Sequence, residues 1–413
     1  MDRNFWWPRV RTRGPAPARN SERSNLHAPR VVFASGHYYA SKRKAGFHFL
    51  ADAMAGFGCD VTFMTIGISP ISKLRGDARF AYPVREEANR PVRVSDRITS
   101  YVWFTPWHPF HLRNHLLDRL STPLVARWAH LPLGGAEAFV RAADLIVVES
   151  GLPLLLVDRF RALAPGAKLV YRVSDDTRNL GQHAFVVATE ERVASLFDLI
   201  SAPSRFTAER FAGLSNTRFQ PHGIDLAAFD RPTTDPFARS PLGPRWAVEV
   251  VSVGHSFFDT EFPALAARAR PDWRFHYVGR LNPEPRLPNI VWHGELPFAE
   301  TIPFIRHADI GAAPYAWRTG AETLRESSLK LIQYTHCRLP AVAPEFVIRP
   351  DRPHVIGYRP GDADSIRAAL AAAQSVDRRR IRPEPVASWA ELARSMATEA
   401  GVQMPDTCRA TGS

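Results

Sequence analysis

The sequence predicts an α/β protein with two doubly wound, Rossmann-like domains that face each other across a cleft. Three observations support this fold class. Strand-like apolar runs alternate with helical segments over residues 29–225, which is typical of parallel sheets covered by helices. The same alternation restarts over residues 247–376. Between the two regions, residues 226–246 contain four prolines and little apolar periodicity, as expected of a linker.

Each predicted domain has five or more short apolar strands. In the first domain they are expected at residues 30–35, 61–66, 100–104, 144–149, 168–172 and 199–201, with an amphipathic helix over residues 42–56. In the second they are expected at residues 248–253, 273–278, 289–292, 309–314 and 339–342. Ligands of such sheets bind beyond the carboxyl ends of the strands, so the residues that follow these strands are the first candidates for a site.

The two ends of the chain are predicted to lie outside these domains. Residues 1–28 carry six arginines and little apolar periodicity, which indicates a disordered basic tail. Residues 377–413 are expected to form a C-terminal helix that packs back on the first domain, followed by a second tail.

The positive charge is concentrated in the first third of the chain. Residues 1–130 hold 20 Lys and Arg against 9 Asp and Glu, a net charge of +11 out of +12 for all 413 residues. Such asymmetry indicates an anionic partner. No zinc finger, helix-turn-helix or aromatic RNA-binding signature is present, so a peripheral contact with an anionic membrane surface is favoured over nucleic acid.

The predicted membrane face consists of cations and aromatic residues of the first domain. The alternative is a solvated run of charges beside core aromatics. The candidates are Lys42, Arg43, Lys44, Lys73, Arg75, Trp103, Trp107 and Phe110.

Several common kinds of site are missing from the sequence. The three cysteines, at positions 59, 337 and 408, have no metal-ligand spacing and indicate a reducing compartment. His108 and His111 have the wrong spacing for one helix face, so no metal site is predicted. Neither GxGxxG nor GxxxxGK[ST] occurs, which argues against dinucleotide redox chemistry and P-loop hydrolysis.

Residues 326–334 are the most informative stretch. Ser327 and Ser328 offer capping oxygens at the start of a helix, whose dipole places positive charge there. Lys330 follows in the first turn, where a purely structural helix has no reason to place a cation. The combination predicts a site for a diphosphate.

Polar residues follow several of the predicted strands. Asp175 is a candidate general base, although it could instead cap the next segment. His37 and Glu149 follow two other strands of the first domain, and Glu209 lies on a helix that Ser204 is expected to cap; all three are predicted to line the acceptor cleft. In the second domain the residues after strands are His255, Ser256, Glu295 and Leu296.

The residues resemble those of the GumK-type family of bacterial glucuronosyltransferases. The resemblance covers roughly residues 30–376, and its matches occur in the same order in both domains. They include residues 74–77, 108–110, 149–151, 168–172, 174–175, 222–223, 258–259, 294–295, 313–316, 327–328, 330–334 and 339–342.

This resemblance implies a GT-B fold and an inverting, metal-free β-glucuronosyltransferase of xanthan-like exopolysaccharide synthesis. It implies UDP-glucuronate as donor, a mannose-ended oligosaccharide on a polyprenyl diphosphate as acceptor, and a place on the cytoplasmic face of the inner membrane. By position, Asp175 matches the catalytic base and Glu209 a glutamate of the active cleft. The residues matching the family's UDP site are Glu295, Tyr315, Ser328, Lys330 and Gln333.

The full predicted donor site adds neighbours of those matched residues. It comprises His255, Ser256, Glu295, Leu296, Tyr315, Arg325, Ser327, Ser328, Leu329, Lys330 and Gln333. Ser256 and Leu329 stand where the family has methionines, and Arg325 adds a cation that would favour an acidic sugar. The alternatives are a neutral donor such as UDP-glucose, a GDP-sugar, or a non-catalytic protein that binds anionic surfaces.

Overall fold

The structure is a computed structural model that describes residues 28–111, 114–178, 181–238 and 243–405. The basic tail predicted over residues 1–28 lies outside this range except for Ala28, and so does Cys408. The described residues form two sheets, one in each half of the chain.

The first sheet has eight strands in the order β3-β4-β2-β1-β5-β6-β7-β8. Only β3 runs antiparallel to its neighbour, β4. The strands are β1 (Arg30–Ser35), β2 (Asp60–Ile68), β3 (Pro91–Arg93), β4 (Ile98–Phe104), β5 (Leu145–Glu149), β6 (Lys168–Arg172), β7 (Leu199–Ala202) and β8 (Thr217–Phe219).

Helices cover both faces of this sheet, because its central strands are apolar on both sides. Val31 and Phe33 pack on one face and Val32 and Ala34 on the other, all at most 2% exposed. The helices of this half are α1 (Gly46–Gly56), α2 (Pro70–Leu74), α3 (His115–Trp128), α4 (Ala136–Arg141), α5 (Val157–Leu163), α6 (Ala184–Val193) and α7 (Arg205–Glu209), and α8 (Leu226–Asp230) follows them in the chain.

The second sheet has six strands, all parallel, in the order β11-β10-β9-β12-β13-β14. They are β9 (Glu249–Val253), β10 (Arg274–Val278), β11 (Ile290–Gly294), β12 (Ile310–Ala312), β13 (Ala341–Pro344) and β14 (Val355–Tyr358). The helices of this half are α9 (Phe262–Ala269), α10 (Phe298–His307), α11 (Leu324–Ser327), α12 (Leu329–His336) and α13 (Ala363–Gln374), and the chain continues into α14 (Trp389–Glu399).

Helix α14 lies in the first half of the molecule, against α1. Its Trp389, Leu392 and Met396 complete the apolar layer on one face of the first sheet. The segment predicted as a linker, residues 226–246, contains α8, which packs against α10 of the second half. The apolar side chain of Phe229 is the reason, since it is buried among residues of the second core.

A capping box fixes the start of α14. The Ser388 hydroxyl accepts a hydrogen bond from the Glu391 amide at 3.1 Å, and the Glu391 carboxylate accepts one from the Ser388 amide at 2.6 Å. We expect Ser388→Ala to lower the free energy of unfolding by about 1 kcal/mol, since an orphan helix amide loses its partner. Urea titration measures this, with Ser388→Asp, which retains a capping oxygen, as the control. Equal losses in both variants would contradict the capping role.

The order of the strands creates one crevice in each sheet. In the first sheet β1 lies between β2 and β5, and the chain leaves β1 and β5 toward opposite sides. In the second sheet β9 lies in the same way between β10 and β12. The loops after these strands, beginning at Gly36, Ser150, Gly254 and Ala313, are therefore where a ligand can enter.

Candidate active site

A cavity of about 320 Å³ lies between the two halves of the molecule, where their strands end. Arg43, Asp175 and His222 line it from the first half, and Tyr315, Ser328 and Lys330 from the second. A single ligand in this cavity would therefore contact both sheets.

The helix α12 presents its N-terminus to this cavity. Ser328 is its N-cap, and the serine hydroxyl accepts a hydrogen bond from the Leu331 amide at 3.1 Å. The Tyr315 hydroxyl lies 2.6 Å from the same oxygen. Ser327 lines the cavity but ends the preceding helix, and its hydroxyl donates to the Thr323 carbonyl instead. Only one of the two serines predicted as caps therefore has that role for α12.

The Lys330 side chain is buried at the floor of the cavity. Its ammonium group donates to the Ser252 hydroxyl at 3.3 Å and lies 5.1 Å from the centre of the Tyr315 ring. In the described part of the chain no carboxylate forms an ion pair with it. Burial therefore lowers the pKa of Lys330 to about 7. An anion in the cavity would supply the missing partner and favour the charged form.

A narrower pocket of about 160 Å³ adjoins this cavity and shares His255, Leu329 and Gln333 with it. Glu295 and Leu296 line its outer part, beside the β-strand ends. Its inner wall includes the rings of Phe49 and Trp389, which stack 5.4 Å apart, and that of Phe298. A flat base fits between apolar walls, and a carboxylate at the rim can accept hydrogen bonds from ribose hydroxyls.

Two predicted donor residues are placed differently from the others. Ser256 lines the larger cavity and is exposed. Arg325 does not line either pocket, and its guanidinium donates to the Phe346 carbonyl at 3.2 Å. The assignment of Arg325 to the donor site stays a prediction, since its side chain is bound to the loop of Phe346 and not to either pocket. The arginine that does reach both pockets is Arg43, 3.3 Å from His255.

Asp175 follows β6 and lines the larger cavity. The Ser150 hydroxyl accepts from the Ser174 amide at 3.1 Å and from the Asp175 amide at 3.5 Å, which holds the loop. Within the described residues, no group donates a hydrogen bond to the Asp175 carboxylate. Desolvation between the walls of the cleft, followed by the charge of Glu149, raises its pKa. A carboxylate with these properties is suited to accept a proton.

Glu149 is buried behind Asp175 and joins three loops. It accepts hydrogen bonds from the Ser35 hydroxyl at 2.6 Å, the Gly36 amide at 3.0 Å and the Ser174 hydroxyl at 2.9 Å. His37 lies 3.3 Å away as an ion-pair partner. Burial alone would raise the pKa of Glu149, but His37 and the hydroxyl donors outweigh it and hold the pKa at about 2. Glu149 is therefore a buried anion that holds three loops of the site together behind Asp175.

A buried ionic network, which the sequence analysis missed, holds the other side of the Asp175 loop. Arg210 bridges Asp176 at 3.1 Å and Glu190 at 2.6 Å. Glu190 also accepts hydrogen bonds from the hydroxyls of Tyr171 and Thr177. Glu209, predicted as a cleft residue, is exposed at the end of α7 and does not line the cavity. Its neighbour Arg210 is the residue that connects α7 with the loop.

The predicted membrane face is only partly exposed. Trp103 is 1% exposed and donates to the Pro132 carbonyl, so its assignment was wrong; Trp107 is partly buried against the same core. Strand β4 is buried on both faces, and the Trp103 ring packs against that of Trp128 in the core. The remaining candidates are Lys42, Arg43, Lys73 and Arg75, which are exposed, and Lys44 and Phe110, which are partly buried.

The helix predicted over residues 42–56 starts later, at Gly46, and the preceding basic residues form a loop. In this loop the Ser41 hydroxyl donates to the Arg43 carbonyl, and the Lys44 ammonium donates to the Tyr39 carbonyl at 3.1 Å. These local hydrogen bonds compete with helix formation.

Four of the nine exposed large apolar side chains among the described residues of the first half lie on α3. Leu116, Leu117, Leu120 and Leu124 of this helix are 67%, 48%, 68% and 50% exposed. None of the helices in the described ranges is long and apolar enough to cross a bilayer. The same ranges contain no group of three or more His, Cys, Asp or Glu residues suited to hold a metal ion.

The comparisons with known proteins agree with this geometry. The profile of the glucuronosyltransferase GumK N-terminal domain matches residues 33–203. The UDP-glucuronate:glycolipid 2-beta-glucuronosyltransferase of Xanthomonas campestris pv. campestris is 31% identical over 370 residues, which cover 89% of each chain.

Solved GT-B glycosyltransferases share the fold. The sucrose-phosphate synthase of Thermosynechococcus elongatus superimposes with a TM-score of 0.60 at 14% identity, over 91% of this chain and 95% of that one. The Anabaena protein HepE in complex with UDP superimposes with a TM-score of 0.53 at 15% identity, over 90% and 96%. The chain has the GT-B fold and belongs to the GumK family of glucuronosyltransferases.

Proposed function

We propose that this protein transfers glucuronic acid from UDP-glucuronate to the mannose end of a polyprenyl-diphosphate-linked oligosaccharide, in xanthan-like exopolysaccharide synthesis. The single observation that carries the proposal is the pairing of two groups in one cavity. The unpartnered carboxylate of Asp175 lines it from the first half, and the buried ammonium of Lys330 from the second. The name of the Xanthomonas relative supports the choice of donor and of a glycolipid acceptor.

In this reaction Asp175 accepts the proton of an acceptor hydroxyl, and that oxygen attacks the anomeric carbon of the donor. The bond from this carbon to the β-phosphate oxygen breaks, and UDP leaves with the electron pair. Attack from the side opposite to UDP inverts the anomeric configuration. Lys330 and the first amides of α12 stabilise the charge on the leaving diphosphate, so the proposed reaction needs no metal ion.

The donor's carboxylate needs a cation in the cavity. Arg43 has an exposed guanidinium and lines both pockets, whereas Arg325 lines neither. We therefore assign the preference for an acidic sugar to Arg43. A neutral donor such as UDP-glucose, or a GDP-sugar, is the competing candidate.

A donor panel tests the proposed function. The full-length protein in detergent is incubated with a mannose-ended lipid-linked acceptor, EDTA, and UDP-glucuronate, UDP-glucose or GDP-mannose. We expect transfer from UDP-glucuronate only, and NMR of the product should show a β-linkage. Transfer only from a neutral donor would refute the choice of donor, and failure to bind any nucleotide sugar would favour the non-catalytic alternative.

Replacing Glu149 by Gln should shift the pH dependence of the reaction. Removing its charge lowers the pKa of Asp175, so the acid limb of the kcat/KM profile moves to lower pH. Ser35→Ala, which removes a hydrogen bond to Glu149 but keeps its charge, is the control and should leave the limb in place. An unchanged limb in Glu149→Gln would contradict this electrostatic role.

We further propose that the protein lies on the cytoplasmic face of the inner membrane through α3. The four exposed leucines lie on one side of this helix, while Val125 and Trp128, near its C-terminal end, are buried. The exposed Arg119 and Arg127 add cations near the same surface. A helix with an apolar face and flanking cations is suited to lie in the interface of an anionic bilayer.

Replacing Leu120 by Ser should weaken binding to anionic vesicles about tenfold, because one leucine no longer leaves water. Vesicle cosedimentation of the full-length protein measures this. Leu196→Ser, at an exposed leucine outside α3, is the matched control and should bind as the wild type does. Equal binding by both variants would show that another surface contacts the bilayer.

A further inference from the structure

A second large cavity, of about 690 Å³, lies in the first half of the molecule, outside the cleft between the two halves. It opens between the loops after β1, β2 and β5 and the aromatic loop that contains His108 and Phe110. We propose that this cavity binds the phosphate ester that joins the sugar of the acceptor to its lipid. This inference rests on the proposed function and names where one part of its substrate binds.

The walls of this cavity offer hydrogen-bond donors and positive charge. Arg75 and Arg79 line it together with the amide side chain of Gln182, and none of its described lining residues carries a carboxylate. A wall with guanidinium groups and no carboxylate selects an anion, and phosphate is the anion whose geometry arginine matches.

The two arginines have different tasks. Arg79 is fixed by the protein: it donates to the carbonyls of Gly36 at 2.6 Å and Gly67 at 2.9 Å, and pairs with Asp77 at 2.6 Å. The guanidinium of Arg75 instead lies 4.6 Å from the centre of the Phe110 ring and is exposed. No hydrogen bond or ion pair occupies the Arg75 side chain within the described residues, so it is the group available to a ligand.

The cavity adjoins the catalytic carboxylate on one side. Ser150 lines it, and the hydroxyl of this serine accepts hydrogen bonds from the Ser174 and Asp175 amides. Gly36 also lines it, and its amide donates to Glu149. Only a single layer of residues, which includes Ser150 and Gly36, therefore separates a ligand in the cavity from the Asp175 loop and Glu149.

On its other side the cavity approaches an apolar surface. Arg75 directly follows Leu74, which is 88% exposed. A neighbouring groove of about 540 Å³ is lined by Leu74, Phe80 and Phe104. The Asp175 loop, the arginine-lined cavity and the apolar surface therefore lie next to one another in that order. A glycolipid with its terminal mannose at Asp175 and its hydrocarbon on this surface would place in the cavity the phosphate ester that links its oligosaccharide to its lipid.

Binding of phosphate-bearing lipids tests the inference without requiring catalysis. The full-length protein in detergent, with UDP at saturation to occupy the donor site, is titrated calorimetrically with farnesyl diphosphate, inorganic diphosphate and farnesol. We expect farnesyl diphosphate to bind at least tenfold more tightly than farnesol and than inorganic diphosphate. If farnesol bound as tightly as farnesyl diphosphate, the proposed phosphate site would be refuted. If inorganic diphosphate bound as tightly, the cavity would be a site for free anions and not for lipid-linked ones.

The variant Arg75→Ala should lose at least tenfold in affinity for farnesyl diphosphate. Arg90→Ala, which removes an exposed arginine outside this cavity, is the matched control and should bind as the wild type does. Equal affinities for Arg75→Ala and wild type would overturn the assignment of Arg75.

Kinetics separate this inference from the proposed function. With a lipid-diphosphate acceptor, Arg75→Ala should raise KM at least tenfold and leave kcat nearly unchanged, whereas KM for a phosphate-free mannoside should not change. An equal rise in KM for both acceptors would refute the phosphate subsite while the transferase remained established. Tight, Arg75-dependent binding of farnesyl diphosphate without any sugar transfer would refute the proposed function while the phosphate site remained.

Discussion

Replacing Asp175 by Asn will lower kcat by about 10²- to 10⁴-fold, the range that a positioned general base contributes. Asparagine has nearly the same shape, and the loop is held by the backbone amides of Ser174 and Asp175, so the site should stay intact. The raised pKa of Asp175 matters because it makes the carboxylate a better proton acceptor. Loss of the base therefore affects the chemical step and leaves UDP binding within about twofold.

The neighbouring carboxylate provides the control for this prediction. Asp176 is 9% exposed and paired with Arg178 and Arg210, which outweigh its burial and lower its pKa, so it is a poorer proton acceptor than Asp175. Asp176→Asn should lower the stability of the loop more than the chemical rate. If Asp175→Asn retained more than a tenth of wild-type kcat, the base would be another group, and His37 would be examined next.

Replacing Lys330 by Met will have opposite effects on donor binding and on folding. The affinity for UDP should fall about 10- to 100-fold, which corresponds to the loss of a charge-assisted hydrogen bond. The free energy of unfolding should stay the same or rise, because a buried cation without a carboxylate partner is replaced by an apolar chain of similar length. Calorimetric titration with UDP and urea unfolding measure the two effects.

The ionisation of Lys330 also makes donor binding depend on pH. Its pKa in the folded protein is about 7, below the ordinary value of 10.5, so the group is charged below pH 7 and neutral above. A bound diphosphate favours the charged form, and the affinity for UDP should fall as pH rises above 7, by up to about tenfold per pH unit. Lys330→Met shows the contribution of the ligand's own ionisation. Equal pH profiles for both proteins would contradict the role of Lys330.

Unfolding restores the ordinary pKa of Lys330, so the ionisation of this side chain also makes the free energy of unfolding depend on pH. The unfolded chain binds the proton between pH 7 and 10.5, whereas folded Lys330 does not. Its contribution to the free energy of unfolding therefore rises as pH increases through this window. This trend should be missing from Lys330→Met.

Strands and helices were predictable where the chain has long apolar runs. The central strands β1 and β5 were found because they are buried on both faces and read as continuous apolar stretches. The edge strands β3 and β8, with three residues each, and β14, with four, were missed. Such short segments have too few residues to show a period, and pairing with a neighbouring strand decides their conformation.

The candidate site was predictable only where the local sequence carries a strong pattern. Asp175 and Lys330 were predicted from strong local signals, since Asp175 comes after a buried strand and Lys330 lies in the first turn of a capped helix. The Arg210–Glu190–Asp176 network was not, because its members are brought together only by the packing of α6 and α7. The directions of Trp103 and Arg325 likewise depend on tertiary contacts that the local sequence does not contain.

The position of α14 has a consequence for synthesis of the protein on the ribosome. One face of the first sheet is completed by Trp389, Leu392 and Met396, which are translated only after the second sheet and its helices. Phe47 and Leu50 of α1 therefore remain uncovered while the whole second half is synthesised. During that interval the nascent chain exposes an apolar surface that chaperones recognise, and a product that stops before residue 389 keeps it exposed permanently.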